Sequence, residues 1–359
     1  MKWIQFGDLH LDAPFRTLKP SAAAARRRAA RALLREIVQH AEAVGADAIL
    51  CTGDLFDSQT PYRDTVEAVA QAFAATALPV FVTPGNHDFY AAASPYCAAE
   101  WSENVHIFTS QTPETATIGH VSVTGVAFCS DQPSLRPLNG WRGDGVFLGH
   151  GDALVNDSLY AAYPQADIAA SGLTYLALGH IHQPEVQRCG QTLVVQNGSV
   201  EGRGFDEIGP RGFFEVTWER GEPMWRMIPS SGCRAMQLTL EGGPHETDAI
   251  LAVLRERCEV PPERTLLRLT AAAKDPTGLA EALDEAFLSV RLTLPPQEAE
   301  RPTVRSPLMQ LYEERAEAAM VAAATDADRR RMELACRFGM AAMENREQPS
   351  LKTERNAEI

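Results

Sequence analysis

Short apolar runs separated by amphipathic stretches set the rhythm of the first half of the chain. Lys2–Phe6, Ala46–Cys51 and Pro79–Thr83 are too short for helices and read as buried strands. Between the first two, residues 21–44 place Leu33, Leu34, Ile37, Val38, Ala41 and Val44 at helical spacing, with Ser21 as the expected N-cap. Pro61–Ala77 reads as a second helix with proline in its first turn. Val105 to Phe128 is strand-like with short turns. Val146–Leu148 and Thr174–Leu178 add two buried strands, and Gln191–Gln196, Gly212–Trp218 and Pro223–Ile228 continue the run. Strands alternating with helices predict an α/β layer structure.

The pattern changes after about residue 231. Met236–Leu240, Glu246–Cys258, Thr265–Ala271, Gly278–Phe287 and Val290–Leu294 predict a small β-α-β-α-β domain. A proline-bearing, charged linker follows from Pro295 to Pro307, and two amphipathic helices close the chain near 308–323 and 326–344. Thr325 with Asp328 is the expected cap of the second, and the final polar residues are expected to fray. The expected domains are therefore 1–230, 231–296 and 297–359. The terminal helices carry apolar stripes, Leu308, Leu311, Tyr312, Ala316 and Met320 on one, Met332, Cys336, Gly339, Met340 and Met343 on the other.

Composition changes this picture little, but it excludes several classes. Apolar residues make up 45% and charged residues 22% of the 359, ordinary for a globular protein. No apolar run approaches the ~18 residues of a membrane span, and Met1–Phe6 is too short for a signal core. The seven cysteines are scattered without a Cys-x-x-Cys pair, which argues against a disulfide framework or thiolate zinc site and fits a cytoplasmic protein. The net charge is −14, and neither the first 230 residues nor the remainder has a basic excess. A nucleic-acid substrate would then be held by metals, local arginines or a partner rather than by the protein's own field.

Chemistry is concentrated where the apolar runs end. Five times a strand gives way to glycine and then to a metal-competent side chain: Gly7-Asp8-Leu9-His10, Gly53-Asp54-Leu55-Phe56-Asp57, Gly85-Asn86-His87-Asp88, Gly149-His150 and Gly179-His180-Ile181-His182. Glycine suits a chain that turns sharply on leaving a strand, and the carboxyl ends of strands are where ligand sites gather. Lying side by side, the five strands would pool these groups in one cleft. Each motif alone is common in loops and satisfied cores. The ordered set is not, and it takes five of the nine histidines. Carboxylate, amide oxygen and imidazole suit divalent ions such as manganese, iron or zinc. Two such ions sharing a carboxylate can activate water and stabilise phosphoryl oxygens, with a further imidazole near the leaving oxygen.

In this order the motifs resemble the calcineurin-like metallophosphoesterase superfamily over roughly residues 1–230. Asp8-Leu9-His10-Leu11-Asp12-Ala13-Pro14-Phe15 and Leu178-Gly179-His180-Ile181-His182-Gln183-Pro184 resemble DNA-repair exonucleases of the SbcD type, particularly the YhaO-like branch. The resemblance implies a four-layer α/β/β/α sandwich, a small α/β cap and C-terminal helices. It implies one metal, expected to be Mn²⁺, on Asp8, His10, Asp54 and His182, and a second on Asp54, Asn86, His150 and His180. His87 would serve near the leaving group, with Asp88 orienting it. Asp57 closes the Gly-Asp-x-x-Asp motif or only fixes its own loop; many SbcD relatives have at that position a histidine linked with strand handling, and its absence leaves the cleavage mode open.

The glycine-rich loop 197–205 offers Arg203 as a substrate contact or is a plain turn. The arginines between Arg26 and Arg35 read as a solvated helix face more readily than as a phosphate grip. The resemblance further implies DNA as substrate and docking of the terminal helices on an SbcC-like coiled-coil ATPase. A homodimer and the absence of membrane association complete the expected partners. The rival readings are a small-molecule phosphatase or nucleotide phosphodiesterase, and an interaction subunit with a structural metal site.

Overall fold

The computed structural model describes residues 1–343 apart from 17, 220, 244, 296–306 and 324. Most of the expected linker and the frayed terminus lie outside the described residues. The chain divides into two compact units, Met1–Pro295 and Pro296–Ile359.

The first unit is built on two six-stranded sheets. In one, β1 (Lys2–Phe6), β2 (Ala48–Cys51), β3 (Val80–Val82) and β4 (Val105–Ile107) run parallel, and β13 (Gly212–Glu219) with β14 (Glu222–Pro229) extend it antiparallel beyond β1. In the other, β6 (Val121–Gly125), β7 (Val146–His150), β10 (Tyr175–Gly179) and β12 (Thr192–Gln196) are parallel, edged by β5 (Glu114–Ile118) and β11 (Glu185–Cys189). A two-stranded ribbon, β8 (Asp152–Ala153) with β9 (Ala162–Tyr163), lies beyond β7.

The side chains alternate as a period of two demands. Trp3, Leu50, Phe81, Leu148, Tyr175 and Val195 fill the space between the sheets. Ile4, Phe6 and Ile49 face outward onto helices α1 (Pro20–Ala43) and α2 (Arg63–Ala74), where Ile37, Val38 and Phe73 meet them. On the far side Phe147, Leu176 and Val194 pack with Ile168 of α4 (Gln165–Ser171). A one-turn helix, α3 (Pro95–Ala98), adds Tyr96 to the first of these outer cores. The result is the expected order of layers. Truncating a fully buried side chain such as Ile37 to alanine should cost about 2–5 kcal/mol.

Three local expectations differ: the second helix begins only at Arg63, so Pro61 lies before its Tyr62 cap rather than in its first turn. The first helix starts one residue earlier than Ser21, on Pro20, with Lys19 at the cap position and no side-chain cap bond. Proline suits the first helical position because it has no N–H to satisfy. Nor is Arg26 a solvated residue. It is buried, 3.1 Å from Glu201 Oε1, with its guanidinium 4.5 Å over the Phe15 ring.

Within the same unit, three further strands, β15 (Arg234–Leu240), β16 (Thr265–Ala271) and β17 (Ser289–Thr293), form a parallel sheet of their own. Helices α5 (Thr247–Arg257) and α6 (Pro276–Ala286) cover it through Ile250, Leu254, Leu279 and Leu283. Asp275 caps α6 by accepting from Gly278 N. In the second unit, α7 (Pro307–Val321) and α8 (Asp326–Met343) pair, with Tyr312 Oη donating to Ala335 O at 3.1 Å. Gly339 makes room for that phenol, because a Cβ there would stand 1.9 Å from the hydroxyl. Thr325 Oγ1 accepts from Asp328 N and donates to its carboxylate, the expected cap.

Candidate metal centre

The five motif-bearing strands do not lie side by side. Three belong to one sheet and two to the other, and their carboxyl ends meet where the sheets face each other. Register aligns the tips within each sheet, Phe6 beside Cys51 beside Val82, and Gly179 beside His150. Beyond the strands the first two loops stay paired: Asp8 N donates to Gly53 O, His10 N to Asp54 O and Leu11 N to Leu55 O.

Glycine matters here for a reason other than turning. Of the five motif glycines only Gly53 has a left-handed φ, +98°. A Cβ on Gly179 would lie 2.5 Å from Thr52 O and 3.0 Å from Asp8 Oδ2, so its bareness lets the two sheets' tips touch. The turning is done by ligand candidates instead: Asp8, His10, Asp54 and His180 have φ of 50°, 45°, 49° and 94°. Such backbone costs of order 1–3 kcal/mol per residue, and it concentrates at functional sites.

Asp54 sits at the junction. Its Oδ2 is 3.4 Å from His150 Nε2 and 3.6 Å from His10 Nε2, while Oδ1 accepts His87 N at 2.9 Å. Asp8, His10 and His182 bring ligand atoms within 4.8 Å of one another, and so do Asp8, Asp54 and His150. Asn86 Oδ1 lies 3.0 Å from both His150 Nε2 and His180 Nδ1. Every residue expected to hold a metal therefore lies in one pocket.

The donor set has the chemistry of a cation site. His10 Nδ1 faces Asp57 Oδ1 at 3.2 Å, and His182 Nδ1 faces Glu207 Oε1 at 2.7 Å. Those carboxylates favour a proton on each Nδ1, and the two Nε2 atoms face each other 3.2 Å apart. His150 Nδ1 likewise bonds Thr52 O at 2.8 Å, turning its Nε2 toward the Asn86 and Asp54 oxygens.

Titration follows from this crowding. Burial pulls His150 down, but Asp54 outweighs it and pushes the imidazole up to about 9. Burial raises Asp54 while His150 more than reverses it, so the Asp54 carboxyl lies far below the usual range. Asp8, dominated by burial, is raised to about 6. His10 and His180 are held near about 4, chiefly by burial, with the charge on His150 adding to the effect at His180, whereas the Glu207 carboxylate outweighs burial and raises His182.

His87 is exposed, stands edge-on to His10 with ring centroids 4.7 Å apart, and has Nδ1 3.0 Å from Asp57 O. Its free nitrogen can also join His10 and Asp54 as a ligand. Asp88 is a correction. Its buried carboxylate accepts from Gly85 N, Phe56 N and Tyr96 Oη at 2.8, 3.1 and 2.6 Å and braces the loop, while the Asp57 carbonyl orients His87. Arg203 reaches the site, with Nη2 on Asp57 Oδ1 at 3.0 Å.

Three participants were not anticipated. Asn197 Nδ2 donates to Asp8 Oδ2 at 3.2 Å, Glu207 holds His182, and Asp152 Oδ1 lies 3.7 Å from His180 Nε2. Asn197 follows the buried run Thr192–Gln196 directly, the same placement that marks the other ligands, and that was its only signal.

A two-sheet sandwich with Asp, Asn and His converging on strand tips defines a metallophosphoesterase. The calcineurin-like phosphoesterase superfamily domain matches residues 1–217, and the chain belongs to that superfamily. The uncharacterized metallophosphoesterase YhaO of Bacillus subtilis is 28% identical over 244 residues, which span 62% of this chain and 58% of that protein's length. Among solved structures, a conserved uncharacterized protein of Streptococcus pneumoniae described as a predicted phosphoesterase aligns over 63% of this chain and 97% of its own, at 14% identity and a TM-score of 0.30. Vacuolar protein sorting 29 from Cryptosporidium parvum aligns over 63% and 96%, at 16% identity and the same TM-score.

Proposed function

We propose that the protein is a two-metal phosphodiesterase that cuts DNA strands together with an SbcC-like ATPase. Asp8, His10, Asp54 and His182 would hold one divalent ion and Asp54, Asn86, His150 and His180 the other, with Mn²⁺ the expected metal. Bound there, such ions polarise phosphoryl oxygens and make water a nucleophile at neutral pH. The chain's own groups do the rest. Asp54 neutralises both positions at once, Asn197 and the His180 amide fix Asp8, and the Thr52 carbonyl fixes His150. His87, exposed beside His10, is placed to meet the leaving oxygen and hold or give a proton there. The single observation that carries the reading is the position of Asp54 between His10 and His150.

DNA and the ATPase rest on the resemblance of the motifs and on the second unit. Leu308, Leu311 and Val321 are 66%, 48% and 84% exposed on a helix pair, which suits docking on another chain. A basic partner would also offset the net charge of −14, which disfavours DNA on this surface alone. That same charge supports a second reading, hydrolysis of a small phosphodiester. Assay of the chain with Mn²⁺ on single- and double-stranded DNA, with and without the ATPase, and on a bis-aryl phosphodiester separates them. Cleavage of the small ester alone under every condition rejects the DNA reading.

A further inference from the structure

We infer that Arg203 and Glu207 are positioning residues that aim His10 and His182 at one common point. The inference rests on the two-metal reading, but it concerns groups that need touch neither metal nor substrate.

Both imidazoles are held from behind by one short segment. Asp57 Oδ1 accepts from His10 Nδ1 at 3.2 Å and from Arg203 Nη2 at 3.0 Å. Glu207 Oε1 accepts from His182 Nδ1 at 2.7 Å, and its Oε2 accepts from Arg203 N at 2.9 Å and Ser199 Oγ at 3.2 Å. The two arms are thus joined through the backbone between residues 203 and 207. Displacing that segment would turn both rings together. Arg203 has a specific task, because its Nη2 donates to the same Asp57 oxygen that meets His10 Nδ1 and so holds that carboxylate in place behind the imidazole.

The segment does not hold itself in place. Phe205 is buried with Cys233, Ala235 and Leu266, and Arg291 stacks 4.5 Å over its ring. Gly202 N donates to Cys233 O at 2.8 Å, Cys233 N donates to Glu201 Oε2 at 3.0 Å, and Ile208 bridges Ala235. These anchors belong to the small domain. Its strands β15, β16 and β17 therefore help set the geometry of one metal position, while His150, His180 and Asn86 are fixed by Thr52 and the sheets. Contacts behind metal-binding histidines typically change affinity by about 10–100-fold.

The experiment is calorimetric titration of the metal-free full chain with Mn²⁺, comparing wild type with Arg203→Ala, Arg203→Lys, Glu207→Ala, Glu207→Gln and Phe205→Ala. Long-range ¹H–¹⁵N spectra of the imidazoles in the metal-free chain accompany it. Wild type should bind two ions; failure to do so rejects the two-metal reading itself. Given two ions, the alanine variants at 203 and 207 should weaken one position by about 10–100-fold and leave the other unchanged. Glu207→Gln should recover part of the loss, and Arg203→Lys less. In the spectra, Glu207→Ala should disturb His182, Arg203→Ala should disturb His10, and Phe205→Ala should disturb both. Unchanged titrations in Arg203→Ala and Glu207→Ala overturn the inference, as does equal weakening of both positions. A rise in KM for the diester with normal metal binding would make Arg203 a substrate contact and overturn its role here.

Discussion

Asp54 Oδ2 lies 3.4 Å from His150 Nε2, and this contact joins a loop of one sheet to a strand tip of the other. The same oxygen is 3.6 Å from His10, and no other carboxylate among the described ion pairs contacts both His10 and His150. Asp54→Ala should therefore abolish binding of both metals, whereas His10→Ala should chiefly weaken one. Metal content by mass spectrometry after dialysis checks this. Two ions retained in the Asp54 variant would remove the bridging role.

His87 separates from the ligands in its exposure and in its contact with the Asp57 carbonyl. His87→Ala should lower turnover by about 10²–10⁴-fold on a phosphodiester, the usual scale for a lost acid or base. Metal content should stay at the wild-type level. A variant that loses an ion instead would make His87 a third ligand of the cluster it forms with His10 and Asp54.

Gly179→Ala and Gly221→Ala test two uses of glycine. At Gly179 a methyl would enter the contact with Thr52 O and Asp8, so stability should fall by about 1–3 kcal/mol, as overpacking usually costs, and metal affinity should fall with it. At Gly221 nothing lies within 4 Å but φ is +87°, so about 1–2 kcal/mol of backbone strain is expected with metal binding unchanged. Urea melts and metal titration read both. Equal metal affinity in wild type and Gly179→Ala would mean the sheets tolerate separation at their tips.

Deleting residues 305–359 should leave Met1–Pro295 folded, because that unit has its own cores and the terminal helices bond to one another. Thermal melting should be unchanged and small-ester hydrolysis retained, while binding to the proposed ATPase partner should be lost. Unfolding of the catalytic unit would place the helices in its core. Undiminished ATPase binding would move the interface elsewhere.

The layers and the metal pocket were legible because period-two and period-3.6 patterns survive in buried elements, and because ligands follow the strands they terminate. Asp8, Asp54, Asn86 and the three histidines of the two later motifs needed no tertiary information to be found. Their supports did. Glu207 and Arg203 reach their partners across 25 and 146 residues of sequence; the glycine-rich loop marked Arg203 only as a substrate contact, and nothing local distinguishes Glu207 from a loop charge. Arg26 misled for the opposite reason: it belongs to an arginine-rich helix, but its partner Glu201 is 175 residues away. Asp88 shows that adjacency in sequence is weak evidence of contact, since the chain turns its carboxylate away from His87 and toward Tyr96.

A thread of buried polar groups, finally, ties the space between the sheets to the pocket. Tyr175 donates to Gln5, Gln5 Nε2 donates to Asn197 Oδ1 at 3.2 Å, and Asn197 reaches Asp8. Neither sheet alone contains a complete set of donors, so the pocket exists only after the two have docked in register. An ion held there would be taken up late in folding and would act as a rivet across the sandwich. Its contribution grows with free-metal concentration in the way of any ligand that recognises only the native state. Chelation should lower the melting temperature of the sandwich as a whole, and metal supply in the cell would govern how long the folded chain survives as well as how fast it works.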